Sequence, residues 1–245
     1  MAGNARYTRV LAGGFSLSSQ TNSIALNTQA QREEVTTFEA TGKQYVVFAP
    51  ESTVEIAGYT AFSATDVGTW EKIATDALST ADTVTRIFSE SSTYTGQPAD
   101  VLPGAMTNNL TLEFPALVVM TVKATFGSTT GLRHGLCVYS GTISATGGTT
   151  AIDFGAAGTA GGYAYLHVTS ITGTATNADI DIESATTAGG TYASEGTFTF
   201  SAIGDYTLAL SGTVNRYIRI NPTDLGGATA LVVHVIACVD GVTFN

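Results

Sequence analysis

The chain has 245 residues, which is enough for one large domain or two ordinary domains with a real hydrophobic core. Charged residues make up only 12% of the chain and the net charge is −10, which excludes a protein that binds nucleic acid through a basic surface. Gly, Ala, Ser and Thr take the place of the missing charge, and such a surface suits a protein that neighbouring molecules cover. Secreted β-sandwich proteins share this composition.

The N-terminus and the cysteines bear on whether the protein is exported, membrane-spanning or disulfide-bonded. The first residues lack the apolar core of a signal peptide, and no run of about 18 apolar residues occurs, so we expect neither an export signal nor a membrane span. Cys137 and Cys238 each lie in an apolar run, which favours two buried free thiols over a disulfide framework.

The N-terminal part begins with a predicted strand at 5–11, followed by a second at 23–26 and a third at 52–59. The third strand alternates, with Val54 and Ile56 facing inward and Thr53 and Glu55 facing outward, which is the period of a half-buried strand. Between the second and third strands lies a polar stretch at 27–50. Its short apolar run at 45–48 is either another strand or an apolar plug.

We interpret this polar stretch as an arm that contacts other copies of the protein. A connection of roughly twenty residues is long for a compact domain, and long loops are usually functional. Its charged residues would set the register between subunits, its two apolar residues would anchor it, and contact with a partner could order it. The candidate interface residues are Arg32, Glu33, Glu34, Val35, Phe38 and Glu39.

One helix is predicted at 69–80. Apolar residues recur there at helical spacing and form a single stripe: Trp70, Ile73, Ala74, Ala77 and Leu78. Because no second helix is predicted to pair with it, we expect this stripe to pack on a sheet face. Trp70, the only tryptophan, is then a core residue.

The rest of the sequence alternates in short stretches separated by turn residues, which is typical of antiparallel sandwiches and barrels. Further strands are predicted at 83–88, 110–114, 117–126, 135–140, 163–171, 178–183, 196–201, 205–210, 215–220 and 231–239. We therefore predict an all-β fold, mainly an antiparallel β-sandwich or barrel, with one flanking α-helix near 69–80 in the N-terminal half. A Gly-rich linker at 127–131 separates two predicted domains, 1–130 and 131–245, and the second is another β-sandwich.

No arrangement typical of catalysis or of metal binding is visible. His134, His167 and His234 stand singly in the sequence, which favours structural histidines over ligands or general bases. Asp179, Asp181 and Glu183 share one face of a predicted strand; a calcium site would need further oxygens, so a solvated strand face is favoured. We expect no catalytic residues, no cofactor and no metal, and hence a protein that is not an enzyme.

Several short motifs of the N-terminal half are informative as a set. An early strand contains Thr-Asn-Ser-Ile at 21–24, the arm contains Glu-Val-Thr-Thr-Phe at 34–38, and a later strand ends in Ile-Ala-Gly-Tyr at 56–59. The predicted helix and late strands around 94–96 and 118–126 follow. With these motifs, residues 5–130 resemble the major tail tube proteins of long-tailed bacteriophages. The second half, through 163–168 and 212–220, resembles β-sandwich segments appended to phage tail proteins.

The resemblance implies a structural virion protein without catalytic residues, located in the phage tail and assembled in the host cytoplasm. Subunits of that family join their sheets side by side into rings, commonly hexamers. Trimers could close a ring if the second half is another tube-like domain. The stacked rings would contact other tail proteins and let genome DNA pass along an acidic wall without specific binding.

Two other classes stay open. A capsid decoration protein or a sugar-binding virion sandwich would present exposed aromatic residues, for which Tyr192 and Tyr206 are the candidates. A secreted carbohydrate-active or calcium-dependent β-protein would have a signal peptide and a carboxylate pair, and the sequence shows neither.

Overall fold

The computed structural model describes residues 7–18, 21–29, 32–34, 45–47, 51–59, 82–113 and 121–242. These residues are nearly all in antiparallel β-structure, which confirms the predicted fold class. The strands are β1 (Arg9–Ala12), β2 (Phe15–Ser16), β3 (Thr21–Gln29), β4 (Arg32–Glu34), β5 (Tyr45–Val47), β6 (Glu51–Tyr59), β7 (Asp82–Ile87), β8 (Pro98–Glu113), β9 (Thr121–Ser128), β10 (Arg133–Ile143), β11 (Ile152–Asp153), β12 (Gly162–Gly173), β13 (Ala178–Ala185), β14 (Ala193–Phe200), β15 (Gly204–Leu210), β16 (Tyr217–Asp224) and β17 (Ala228–Val239).

The predicted helix at 69–80 lies outside the described residues, as does its Trp70. The flanking helix therefore stays a prediction.

The chain divides into two compact units that are discontinuous in sequence. The first unit comprises Met1–Ser18, Thr85–Val101 and His134–Asn245, and the second comprises Ser19–Val84 and Leu102–Arg133. The predicted domains, 1–130 and 131–245, are continuous and so group the chain differently. They stay a prediction about independent folding, which expression of each segment alone would test.

The C-terminal part of the first unit is a β-sandwich, as predicted. One sheet has the strand order β11-β16-β13-β14, and the facing strands are ordered β15-β12-β17-β10. Alternate residues of both layers point inward, because one face of each strand is buried and the side-chain period of a strand is two. The core includes Val138, Leu166, Val168, Ile180, Ile182, Phe198, Phe200, Ile218, Ile220, Leu231, Val233 and Val235.

A second apolar cluster in the first unit covers the other face of β12 and β17. Tyr165 and Ile236 pack there with Leu11, Ile87 and Val101. Because both faces of β17 are buried, its sequence is a near-continuous apolar run without alternation.

The second unit contains an antiparallel sheet with the order β3-β6-β9-β8. One row of paired residues runs across all four strands: Ile24 opposite Ile56, Ile56 opposite Ala124, and Ala124 opposite Leu110. Val54 and Ile56 are buried, as the alternation of β6 predicts. The opposite face is polar, and on it the Lys123 Nζ lies 3.1 Å from the Glu55 Oε2.

Candidate interaction surface

The free edge of the second unit's sheet is formed by β3. This strand pairs with β6 along its length, from Thr21 opposite Gly58 to Gln29 opposite Glu51. In the described part of the chain, no strand pairs with its other side. An edge strand presents a row of backbone N–H and C=O groups to whatever approaches it, so β3 is a ready site for another strand.

The sequence of β3 does little to protect this edge. It reads TNSIALNTQ and contains no charged residue and no proline. Natural edge strands are commonly shielded by lysines, prolines, bulges or short length, and β3 has nine residues with a register shift only at its start. The exposed side chains on it are Asn22, Ser23, Ala25, Asn27 and Thr28.

Two apolar side chains of β3 are incompletely covered. Ile24 and Leu26 are half-buried, whereas their cross-strand partners Ile56 and Val54 are 1% and 3% exposed. The apolar row therefore becomes more exposed toward the free edge. A strand added there would bury apolar surface in addition to pairing backbone groups.

The predicted arm contains a two-stranded ribbon. In β4, Arg32, Glu33 and Glu34 pair with the three residues of β5 in antiparallel register. The apolar run at 45–48 is therefore a strand over Tyr45–Val47 rather than a plug. The other candidate interface residues, Val35, Phe38 and Glu39, lie outside the described residues, so the role of all six stays a prediction.

The β3 edge itself was missed as a functional element, because only 23–26 was predicted as strand. The signal was present in the sequence as nine consecutive residues without charge, proline or glycine. Such a run indicates an exposed assembly edge only when its position at the edge of the sheet is known.

The carboxylate row on β13 is held by its neighbouring strands. Thr199 and Thr197 donate hydrogen bonds to the Asp179 and Asp181 carboxylates at 2.6 Å each. These two aspartates are half-exposed, as a solvated strand face predicts.

Glu183, at the end of the same row, differs from that prediction. It is buried, with an exposure of 9%. Arg219 Nε donates to it at 2.7 Å and Asn221 Nδ2 donates at 2.8 Å, and these partners compensate its desolvation. The glutamate is therefore part of a structural ion pair.

Two of the three histidines are buried and hydrogen-bonded, as expected for structural histidines. His167 Nδ1 lies 2.7 Å from the Gly13 carbonyl oxygen, and its Nε2 lies 2.8 Å from the Thr85 hydroxyl. His234 Nδ1 lies 2.8 Å from the Ser140 Oγ. His234 and His167 are directly opposite each other on β17 and β12.

The contact between Ser140 and His234 lacks what a catalytic serine needs. Arg9 Nη1 lies 3.4 Å from the His234 Nε2, the ring nitrogen away from Ser140, so a cation stands where a catalytic triad has a carboxylate. Burial, the Arg9 charge and His167 together lower the pKa of His234 to about 3. An imidazole of such low basicity is a poor general base at neutral pH.

His134 lies at the surface and is oriented by a buried carboxylate. Its Nδ1 lies 2.6 Å from the Asp100 Oδ1, while Arg86 Nη2 lies 2.6 Å from the Asp100 Oδ2. Asp100 is thus shared between a histidine and an arginine, which gives it a structural role in joining β7, β8 and β10.

The two cysteines and the two candidate sugar-binding tyrosines also make structural contacts. Cys137 and Cys238 are free and buried, as predicted, and burial raises the pKa of the Cys137 thiol to about 12. The Tyr192 ring is covered by the Arg219 guanidinium at 3.8 Å, and the Tyr206 ring packs on Phe200. Each of the two rings therefore has one structural partner in the sandwich.

Among the described residues, no group of three or more His, Cys, Asp or Glu side chains is arranged to hold a metal ion. Within the same part of the chain, no helix has the length and apolar character needed to cross a membrane.

Comparisons with known proteins found solved structures that are weakly similar to this chain, three of which are described here. No protein-family model and no curated protein matches the sequence. A chain of the virion of a native gene transfer agent particle aligns with 54% of this chain and 98% of its own, at 13% identity and a TM-score of 0.37. The SPP1 Dit (gp 19.1) protein, described as a hub adsorption apparatus of phages that infect Gram-positive hosts, aligns with 93% and 98%, at 12% identity and a TM-score of 0.33.

The third likeness is to a chain of the anti-feeding prophage baseplate. It covers 52% of this chain and 89% of the other, at 9% identity and a TM-score of 0.34. With TM-scores this low, none of the three likenesses assigns a function to this chain.

Proposed function

We propose that the protein is a structural virion protein that self-assembles into stacked rings and forms the tube of a phage tail. The observation that carries the proposal is the uncharged edge of β3, whose outer side pairs with no strand in the described part of the chain. A long unprotected edge is a hazard in a monomer, but it is the means of assembly in a protein that pairs with its own copies.

Three further features support this proposal. The N-terminal motifs resemble those of major tail tube proteins. The β4–β5 ribbon carries Arg32, Glu33 and Glu34 as candidate contacts between subunits. The net charge of −10 suits a wall along which DNA passes without binding, because phosphates and carboxylates repel each other.

The proposed role is non-enzymatic and places the protein in the tail, in contact with other tail proteins. Its support is chemical: the Ser140–His234 contact has a poorly basic imidazole, and the β13 carboxylates are paired with neighbouring side chains. The proposed ring contains six subunits, or three subunits if each subunit carries two tube-like domains.

Negative-stain microscopy of the purified protein at rising concentration tests the proposal. We expect rings or stacked rings, with class averages that report the ring symmetry. A protein that stays monomeric at the highest attainable concentration would contradict a self-assembling tube.

Deletion of residues 31–43 tests the arm separately. We expect a folded monomer that no longer forms rings, with the far-ultraviolet circular dichroism of a β-protein. Normal ring formation by this deletion variant would refute the assignment of the arm while leaving the β3 edge as the assembly element.

A further inference from the structure

Two histidine contacts help to hold β1, β2 and the turn between them on the rest of the first unit, in addition to the pairing of β1 with β7 and the burial of Leu11. Arg9 on β1 contacts His234 on β17, with Nη1 lying 3.3 Å from Nδ1 and 3.4 Å from Nε2. The Gly13 carbonyl in the β1–β2 turn accepts from His167 Nδ1 at 2.7 Å. Both histidines are buried, at 1% and 0% exposure, so solvent does not replace these contacts in the folded state.

The protonation states of the two rings follow from their partners. A carbonyl oxygen can only accept, so His167 carries its hydrogen on Nδ1, and Nε2 is free to accept from the Thr85 hydroxyl. A guanidinium can only donate, so His234 must offer Arg9 a nitrogen lone pair. Either neutral tautomer provides that lone pair: Nε2 accepts from Arg9 when Nδ1–H donates to Ser140 Oγ, and Nδ1 accepts when the Ser140 hydroxyl donates.

The two histidines therefore respond differently to a proton. If His167 were protonated, the Thr85 hydroxyl could rotate and accept from Nε2–H, so no hydrogen bond would be lost. Protonated His234 has no lone pair left for Arg9, and two positive charges then face each other about 3.3 Å apart. Only His234 loses a contact and gains repulsion.

The charged and titratable groups facing His234 add to this effect. Arg9 approaches from β1 and His167 from β12, and the interactions with both lower the pKa of His234. From the remaining neighbours come the neutral Ser140 on β10 and the Tyr94 ring, which stacks on Arg9 with the guanidinium carbon 4.1 Å from its centroid. Among the described residues, no carboxylate is hydrogen-bonded to Arg9 or to His234.

We propose that the Arg9–His234 contact is a pH-sensitive latch that holds β1 and β2 on the first unit, and that protonation of His234 releases them. The inference goes beyond the proposed function and concerns the single chain, whether or not the protein assembles. Because burial lowers the pKa of His234 to about 3, the released state binds the proton more tightly than the latched state. Latching is therefore complete above the ordinary histidine pKa and weakens as pH falls below it.

Hydrogen exchange of the amides of β1, followed by mass spectrometry or NMR between about pH 7 and pH 5, tests the latch. Protection factors, corrected for intrinsic exchange, should fall about tenfold per pH unit below about pH 6.5, while those of β13 stay constant. In the His234→Gln variant, Gln can accept from Arg9 and cannot titrate, so the slope should vanish. The control variant His134→Gln removes an exposed histidine away from the latch and should keep the wild-type slope.

A flat pH profile for β1 in the wild type, or a wild-type slope in His234→Gln, would overturn the proposal. If His234→Gln does not fold, NMR signals of the His234 ring in the wild type test the latch instead, because they report its protonation state. A neutral ring at about pH 5.5 in the population with protected β1 amides supports the latch. A protonated ring at that pH with β1 still protected refutes it.

Discussion

Two edge strands, β14 in the first unit and β3 in the second, differ in the features that protect an edge from pairing with another strand. In β14, Glu195 is an extra, bulged residue, because Ile182 of β13 pairs with Gly196 and the next residue, Glu183, pairs with Ser194. Glu195 then accepts a hydrogen bond from the buried Ser184 hydroxyl. By contrast, β3 is uncharged and regularly paired over most of its length.

The contrast bears on which edge would pair with another copy under the proposed function. A bulge and an edge carboxylate discourage a further strand from pairing with β14. On β3 the register shift lies only at the start, no residue is charged, and the apolar residues Ile24 and Leu26 are only half-buried. The β14 edge is therefore better protected against pairing with another strand than the β3 edge.

The largest expected effect is on the sandwich core. Ile180→Ala should lower the free energy of unfolding by about 2–5 kcal/mol, because Ile180 is fully buried between the two sheets. The comparison residue is Leu26 on β3, for which Leu26→Ala should cost about half as much, roughly 1–2 kcal/mol, because the side chain is half-buried. Urea unfolding of the unassembled chain measures both. Equal losses would contradict the distinction between a closed core and an open edge.

The next effect concerns the buried ion pair of the sandwich. Arg219→Met should destabilise the chain by about 1–3 kcal/mol, because Glu183 would lose a charged partner while remaining buried. Arg216→Met is the matched control, since Arg216 pairs with Asp153 at an exposed position. We expect no measurable loss for the control in thermal unfolding. If Arg219→Met lowers the free energy of unfolding no more than Arg216→Met does, Glu183 becomes solvated once Arg219 is removed.

A smaller effect is expected on the polar face of the second unit's sheet. The Lys123–Glu55 pair is 57% and 46% exposed, so Lys123→Met should change the free energy of unfolding by about 0.5 kcal/mol or less. Chemical denaturation at low and high salt checks this value. A change well above 1 kcal/mol at high salt would show that this face is more buried than the single chain suggests.

The smallest effect on stability should accompany the largest effect on assembly. Ala25→Lys places a charge at an exposed position of β3 and should shift the unfolding free energy by about 0.5 kcal/mol at most. A lysine on an edge strand opposes pairing with another strand, so ring formation should be lost. Thr142→Lys, at an exposed position of β10, is the control and should assemble normally. Sedimentation velocity separates the two outcomes.

Local patterns in the sequence predicted the elements whose environment is regular. The alternation of Val54 and Ile56 gave β6, and that of Asp179 and Asp181 gave β13, because each strand has one buried face. The start of β8 was missed: only 110–114 was predicted as strand, although β8 begins at Pro98, and Pro98, Pro103 and Gly104 are residue types that disfavour a strand pattern. Tertiary pairing overrides that local signal.

Other features depend on contacts between distant parts of the chain and could not be predicted. The ion pair that buries Glu183 joins it to Arg219 on another strand. Likewise, packing groups Met1–Ser18 and Thr85–Val101 with the C-terminal residues, and the composition of these segments does not indicate it. The predicted interface residues at 32–39 stay a prediction, and the sequence did not distinguish the edge strand β3 from the neighbouring arm.

Hydrogen exchange along β3, compared between assembled protein and the Ala25→Lys variant, tests the central claim most directly. In an edge strand, alternate amides point away from the partner strand and exchange quickly. If copies pair through this edge, the outward amides between Asn22 and Thr28 should become strongly protected in the assembled sample and stay unprotected in the variant. Equal, fast exchange of these amides in both samples would contradict assembly through β3.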